Sequence, residues 1–222
     1  MNVSAIIMAA GSGSRFGEKK QFKLLKGTAL YFYSLNKFLL CKDINEIILV
    51  VPENRVANIK KEVANIKKTK KVLVVSGGYK RQDSVKNGLL FVSSRSQLVC
   101  IHDGARPFVS EKLIKESIIA CSKNDGAIVA NPNFDTLKIC EKGYVKKTVD
   151  RSNVWMAQTP QVFWKIKLLD AISISEKKNM EVTDESSMME SLGYKVSVVR
   201  GDHNNFKITS RDDWERAANI IA

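Results

Sequence analysis

Five short, nearly unbroken apolar runs recur along the first 130 residues: SAIIM (4–8), EIILVV (46–51), VLVV (72–75), LVCI (98–101) and AIVA (127–130). A strand with one wet face alternates apolar and polar residues, whereas an unbroken run is buried on both faces. Between the runs lie longer segments of helical period, predicted as helices at 28–40, 54–66, 82–92 and 110–122. Thr28 and Ser110 stand where a hydroxyl would cap the first turn. Strand–helix alternation with doubly buried strands predicts a mostly parallel sheet with helices on both faces, a Rossmann-like three-layer α/β/α fold.

After Pro132 the rhythm changes. Residues 136–139 and 145–149 read as a two-stranded excursion turning at Lys142-Gly143. Such an element is too short and polar to bury a core of its own. This inserted β-arm, at about 133–152, is therefore expected to pack on something else, with a second copy of the chain as the expected partner. The α/β pattern then resumes, with helices at 165–176 and 184–192, a strand at 196–199 and a last helix from Ser210. Neither a repeat nor a linker divides the chain, which reads as one domain over 1–222.

Composition narrows the class further. With 44% apolar and 27% charged residues the chain is an ordinary globular sequence, and no apolar run nears the ~20 residues of a membrane-spanning helix. The segment from Met1 to Gly11 lacks a basic start and runs straight into a glycine loop, so it reads as a first strand rather than a secretion signal. A cytoplasmic protein is expected. Cys41, Cys100, Cys121 and Cys140 are scattered without metal spacing and read as reduced thiols. The net charge of +13 admits a nucleic-acid partner. However, Lys60, Lys61, Lys67, Lys68, Lys70 and Lys71 cluster around one predicted helix, without the interleaved aromatics of a single-strand platform. No nucleic acid is expected as a partner; the same field favours small anionic substrates.

The chemistry-bearing residues sit where strands end. The first strand opens into Ala9-Ala10-Gly11-Ser12-Gly13-Ser14-Arg15-Phe16-Gly17, a small-residue loop whose backbone N–H groups can approach a polyphosphate. Phe16 occupies the third glycine position of the dinucleotide fingerprint, and no acidic residue ends the second strand, which disfavours a nicotinamide or flavin enzyme. Arg15 and Lys20 supply cations instead, suited to charge that builds on phosphoryl oxygens. The third strand ends in Gly77-Gly78-Tyr79-Lys80-Arg81-Gln82-Asp83-Ser84 and the fourth in His102-Asp103-Gly104-Ala105-Arg106-Pro107, at the same sheet edge. His102 has no nucleophile motif beside it and reads as structural.

The motifs A-A-G-x-G-x-R, G-G-x-x-R-x-x-S, H-D-x-A-R-P, D-T, T-V-D-R, T-P-Q, T-D-E and K-I-T follow one another across nearly the whole chain. In that order the sequence resembles the 2-C-methyl-D-erythritol 4-phosphate cytidylyltransferase family of isoprenoid-precursor synthesis. The resemblance implies a nucleotidyltransferase domain that joins CTP to the erythritol phosphate and releases pyrophosphate. It implies that Arg15 and Lys20 stabilise the transition state at the CTP α-phosphate. Ala10, Gly11, Gly13, Gly78, Arg81, Ser84 and Gly104 would hold the nucleotide. Asp103, Arg106, Thr136, Thr159, Thr183 and Thr209 would contact the acceptor, and Arg151 and Lys207 would orient its phosphate. Thr136 and Arg151 would reach the acceptor of a neighbouring subunit, making a homodimer. A Mg²⁺ ion, held mainly by CTP phosphates and by no named protein ligand, is the implied cofactor. The loop to Lys20 is short and lacks a proline, which leaves that role open to Lys19 as well as Lys20; Tyr79 stands where an acidic residue is frequent in the family, and Gly104 where alanine is common. A ribitol 5-phosphate cytidylyltransferase is the alternative, against which Thr148-Val149-Asp150-Arg151 and Thr183-Asp184-Glu185-Ser186 favour the erythritol acceptor.

Overall fold

A computed structural model describes residues 1–66, 70–180 and 182–221; Lys67 and Lys68 of the basic cluster lie outside them. In chain order the elements are β1 (Val3–Met8), β2 (Leu24–Leu25), β3 (Thr28–Ala29), α1 (Leu30–Leu40), β4 (Glu46–Val51), α2 (Val56–Ala64), β5 (Lys71–Ser76), α3 (Arg81–Leu89) and β6 (Leu98–Asp103). There follow α4 (Glu111–Ser122), β7 (Gly126–Pro132), β8 (Leu137–Glu141), β9 (Tyr144–Val149), β10 (Trp155–Trp164), α5 (Lys165–Lys177), α6 (Glu185–Ser191), β11 (Val196–Arg200) and α7 (Arg211–Ile220). The large sheet has seven strands in the order β11-β7-β10-β6-β1-β4-β5.

The unbroken apolar runs inside the sheet are buried on both faces, as their composition requires: β4 and β6 are buried throughout, while β5 at the edge is only half-buried. One face of the sheet packs Ile7, Leu49 and Cys100 against Leu35 and Phe38 of α1, Ile59 of α2 and Ile114 of α4. The other packs Ile6, Val50 and Ile101 against Val85 of α3, Leu168 of α5 and Met188 of α6. Fully burying one such aliphatic side chain contributes about 1.5–3 kcal/mol, so these two layers dominate the fold's stability. Ser110 caps α4, its hydroxyl accepting from the Leu113 N–H at 3.2 Å.

Two elements depart from the sequence reading. Thr28 does not cap α1: Lys26 and Gly27, at φ +49° and +81°, turn the chain so that β2 and β3 form a small hairpin, and α1 starts at Leu30. The second departure is β10, which carries no strand in the sequence reading. It lies between β6 and β7 and is antiparallel to both. Its register shifts between Gln158 and Gln161, around a cis Thr159–Pro160 bond. Proline lacks a ladder donor and is found in sheets mainly at edges or bulges; here the bulge admits it to the middle of the sheet.

The excursion after Pro132 is a separate two-stranded sheet, β8–β9, turning at Lys142 (φ +51°) and Gly143 (φ +85°). Almost all of it is exposed, Tyr144 and Val145 included.

A third apolar cluster joins the two ends of the chain. Phe16, Leu25 and Leu30 bury themselves with Ile208 and Ala217, and the Phe16 ring lies 5.6 Å from that of Trp214 on α7. This contact carries the C-terminal segment to the mouth of the glycine loop.

Candidate active site

From β1 the chain moves outward to β4 and β5, then returns to β6 on the other side of β1. In open α/β sheets ligands bind at the carboxyl ends of strands where the order reverses in this way. Met8 and Asp103 are paired at the ends of β1 and β6, and beside them opens a cleft of about 510 Å³. Ala10, Gly11, Gly13, Lys19, Lys20 and Gln21 form one wall, Gly78 to Arg81 with Ser84 a second, and Asp103, Ala105 and Lys207 a third.

The glycine loop doubles back on itself. Gly13 has φ +74°, and a Cβ there would stand 1.8 Å from the Glu18 carbonyl oxygen, so only glycine fits. Gln21 latches the loop, its Nε2 donating to the Ala9 and Gly11 carbonyls at 3.0 and 2.5 Å. The sequence did not single out Gln21, because a side-chain latch has no local pattern. Lys20 is buried, its ammonium 5.5 Å from the Phe16 ring centre. Burial, then the like charges of Lys207 and Arg15, push its pKa below that of an ordinary lysine. Lys19 lines the cleft as well but is exposed. Arg15 is exposed and outside the cleft lining, felt at Lys20 through its charge.

The second wall depends on close backbone approach. A Cβ at Gly77 would meet the Ala10 Cβ at 2.4 Å and the Ser84 Oγ at 2.8 Å. Ser84 accepts from the Gly78 N–H at 3.0 Å, holding the turn against the start of α3. Arg81 Nη1 donates to both carboxylate oxygens of buried Glu185, at 2.6 and 2.7 Å, and its Nη2 lies 3.9 Å from Asp103. Burial alone would lower the Arg81 pKa, but Glu185 and Asp103 raise it, so the guanidinium stays charged. Tyr79 at the rim is wholly exposed.

Asp103 is the electrostatic centre. Its Oδ2 lies 3.0 Å from the Lys207 ammonium and 3.4 Å from Arg106 Nε. Burial would push this carboxyl up, but Lys207, Arg81 and Arg106 together hold it well below the usual carboxylate range. Behind it runs a buried chain of hydrogen bonds. The Asp103 N–H donates to Thr159 Oγ1 at 3.0 Å, and that hydroxyl lies 2.9 Å from His102 Nδ1. His102 Nε2 lies 3.2 Å from the Arg106 carbonyl oxygen. The carbonyl can only accept, so Nε2 carries the proton and Nδ1 accepts from Thr159. Burial pushes the His102 pKa down to about 4, which keeps the ring neutral.

The sequence-predicted residues thus divide. Ala10, Gly11, Gly13, Lys20, Gly78, Arg81, Ser84, Asp103 and Lys207 meet in one cleft. Arg106 and Thr159 do not line it; both are buried, with Arg106 Nη1 donating to the Asn205 carbonyl at 2.8 Å, so they act on Asp103 from behind. Gly104 is tucked under the end of β1, where a Cβ would lie 3.1 Å from the Met8 carbonyl oxygen. Thr183 and Thr209 are joined to Ser187 and Asp213 at the starts of α6 and α7. Thr136 and Arg151 are exposed at the base of the arm, where Arg151 Nη1 donates to the Phe134 carbonyl.

An open α/β sheet with a glycine loop and a cation-rich cleft at its reversal point is a nucleotide-binding architecture equipped for chemistry at phosphorus. The family model described as IspD, 2-C-methyl-D-erythritol 4-phosphate cytidylyltransferase, matches residues 3–222. A relative of that name from Aquifex aeolicus (strain VF5) is 42% identical over 98% of this chain and 97% of its own length. One from Alkaliphilus oremlandii (strain OhILAs) is 39% identical over 98% of this chain and 94% of its own. The crystal structure of 4-diphosphocytidyl-2C-methyl-D-erythritol synthase from Anaerococcus prevotii DSM 20548 superposes with a TM-score of 0.87 at 34% identity, covering 99% of this chain and 98% of that one. The chain belongs to the 2-C-methyl-D-erythritol 4-phosphate cytidylyltransferase family, and is a nucleotidyltransferase.

Proposed function

We propose that this chain joins CTP to 2-C-methyl-D-erythritol 4-phosphate, giving 4-diphosphocytidyl-2-C-methyl-D-erythritol and pyrophosphate. The observation that carries the reading is the shared cleft, with the glycine loop and Lys20 on one wall and the Asp103–Lys207 pair on another. An acceptor-phosphate oxygen attacks the α-phosphorus in line, and the bond to the departing pyrophosphate oxygen breaks. The backbone of Gly11 and Gly13 cradles the triphosphate, while Lys20, assisted by Arg15 or Lys19, faces the charge gathering on the α-phosphoryl oxygens. Ala10, Gly78 and Ser84 hold the nucleoside. Asp103 offers carboxylate oxygens to the acceptor's hydroxyls, and Lys207 orients its phosphate, with Arg151 contributed across the proposed dimer, which is catalysis by positioning.

A Mg²⁺ ion held by the nucleotide fits this donor set. Among the described residues Asp103 is the one acidic side chain lining the cleft, and no cluster of three or more metal-ligating side chains occurs among them. Mg²⁺ in nucleotide sites takes few protein ligands, and when bound it neutralises phosphate charge.

A homodimer belongs to the same proposal. Tyr144 and Val145 on the arm, and Trp155 and Met156 just after it, are exposed, which favours cover by a second copy. Thr136 and Arg151 would then serve the partner's acceptor, and sedimentation as a monomer at micromolar concentration would remove that part. Among the described residues no helix is long and apolar enough to cross a membrane; the cytoplasm, where CTP is found, is the proposed location.

The test is pyrophosphate release with CTP and Mg²⁺, comparing the erythritol and ribitol phosphates as acceptors. Release with the former alone is expected, and release only with ribitol 5-phosphate would overturn the acceptor.

A further inference from the structure

Lys207 has no regular secondary structure to hold it: it lies in the loop between β11 and α7. Its ammonium nonetheless stands 3.0 Å from Asp103. Something must fix that loop, because a lysine stem has several free torsions and an unfixed loop would add more.

Asn205, two residues before Lys207, is completely buried. Its Nδ2 donates to Gln158 Oε1 and to the Thr159 carbonyl, both at 2.9 Å. The Thr159 carbonyl is acceptor-only, which fixes the orientation of the amide. From the same residue, the backbone carbonyl accepts from Arg106 Nη1 at 2.8 Å. Gln158 completes the clasp, its Nε2 donating to the Asp202 carbonyl at 3.2 Å. Two residues beyond Lys207's neighbour Ile208, Ser210 caps α7, while the Ile208 N–H donates to the Ala105 carbonyl at 2.9 Å. The loop is therefore tied on both sides of Lys207: before it to β10 and to Arg106, and after it to Ala105, both of the latter in the turn that follows Asp103.

We propose that Asn205, clasped by Gln158, is a positioning residue that sets Lys207 against the acceptor phosphate. The inference rests on the role given to Lys207 above. A misplacement of about 1 Å in a reacting geometry can cost ~10²-fold in rate, and that is the expected scale for Asn205→Ala in kcat/KM for the acceptor. The Gly78–Ser84 wall that receives the nucleoside is untouched, so KM for CTP should change little.

The test is a kinetic double-mutant cycle with Lys207→Ala, on full-length protein whose folding is verified by thermal melting. If Asn205 acts through Lys207, Asn205→Ala adds nothing once Lys207 is removed. Gln158→Ala, which leaves Asn205 its bond to Thr159, serves as a milder second variant and should show the same acceptor-selective loss. Additive losses in the cycle, or equal losses of CTP and acceptor use, would overturn the inference while leaving the role of Lys207 intact. An active Lys207→Ala enzyme with unchanged acceptor kinetics would overturn both.

Discussion

Replacing Asp103 by asparagine keeps the side chain's shape and removes the charge on which three cations converge. Coulomb attraction at an effective dielectric of 20 gives several kcal/mol for each contact, but most of that is offset by desolvation. Measured costs of breaking a buried pair run at about 3–5 kcal/mol. Lys207 and Arg81 have side chains 35% and 31% exposed, against 10% for Arg106. Two of the three partners are thus partly screened, and the low end, about 3 kcal/mol, is expected. For a domain of this size that is a fall in Tm of roughly 6–12 °C.

The pH dependence separates this loss from ordinary packing damage. The folded Asp103 carboxyl is held below its usual range, so its contribution is fully present above the unfolded carboxylate pKa of about 3.9. It is lost only as pH falls through the lower, folded value. Denaturant melts of both proteins should therefore show a constant stability gap from about pH 5 to 8, closing in stronger acid. A gap under about 1 kcal/mol, or one that changes between pH 5 and 8, would refute the reasoning.

Three further outcomes are expected. Gly13→Ala puts a Cβ on the Glu18 carbonyl and demands φ +74° of alanine; kcat/KM for CTP should fall by about 10²-fold or more, and isothermal titration with CTP checks the binding loss. Burial first, then Lys207 and Arg15, lower the Lys20 pKa, so activity should decline with rising pH before the ordinary lysine range near ~10.4. Lys20→Arg should move that decline upward, since a guanidinium stays charged, and a pH–rate profile decides. Phe16→Ala empties the junction with Trp214; it should cost about 3 kcal/mol in urea melts and lower kcat as the glycine loop and Lys207 segment loosen.

Much of this molecule is legible in its sequence because the strands are doubly buried. Their apolar runs give β1, β4, β5, β6 and β7 within a residue or two, and the helices between them follow from their period, with Ser110 as the cap of α4 but Thr28 not the cap of α1. The glycine loops and Asp103 were readable for a related reason, since ligands gather where such strands end. Phe16 was legible only as a missing glycine. That it is the wedge holding α7 against the loop depends on a partner, Trp214, almost the whole chain away. Glu185 likewise gains its meaning from Arg81, and no local spacing connects them.

The strand that sequence reasoning missed is the one on which the site is assembled. Pro160 and the polar residues Gln158, Thr159 and Gln161 argue against a central strand, yet each polar side chain is aimed at a different part of the cleft's support. Thr159 accepts from the Asp103 backbone, and Gln158 clasps Asn205 ahead of Lys207. Gln161 donates to Asp184, the cap of α6, at 2.7 Å, and α6 begins with Glu185, the grip on Arg81. The start of the strand, at Trp155, continues from the arm through Val154, whose carbonyl accepts from the Asn133 N–H. An alternating apolar strand could not serve these three neighbours; polarity here is the requirement of a strand whose side chains position residues from three separate segments. A strand antiparallel to both neighbours also lets the chain re-enter the sheet directly from the arm, without a helical crossover. The arm is therefore one continuous strand away from Thr159, which accepts from the Asp103 backbone, and from Gln161 and Gln158, which brace the segments holding Arg81 and Lys207.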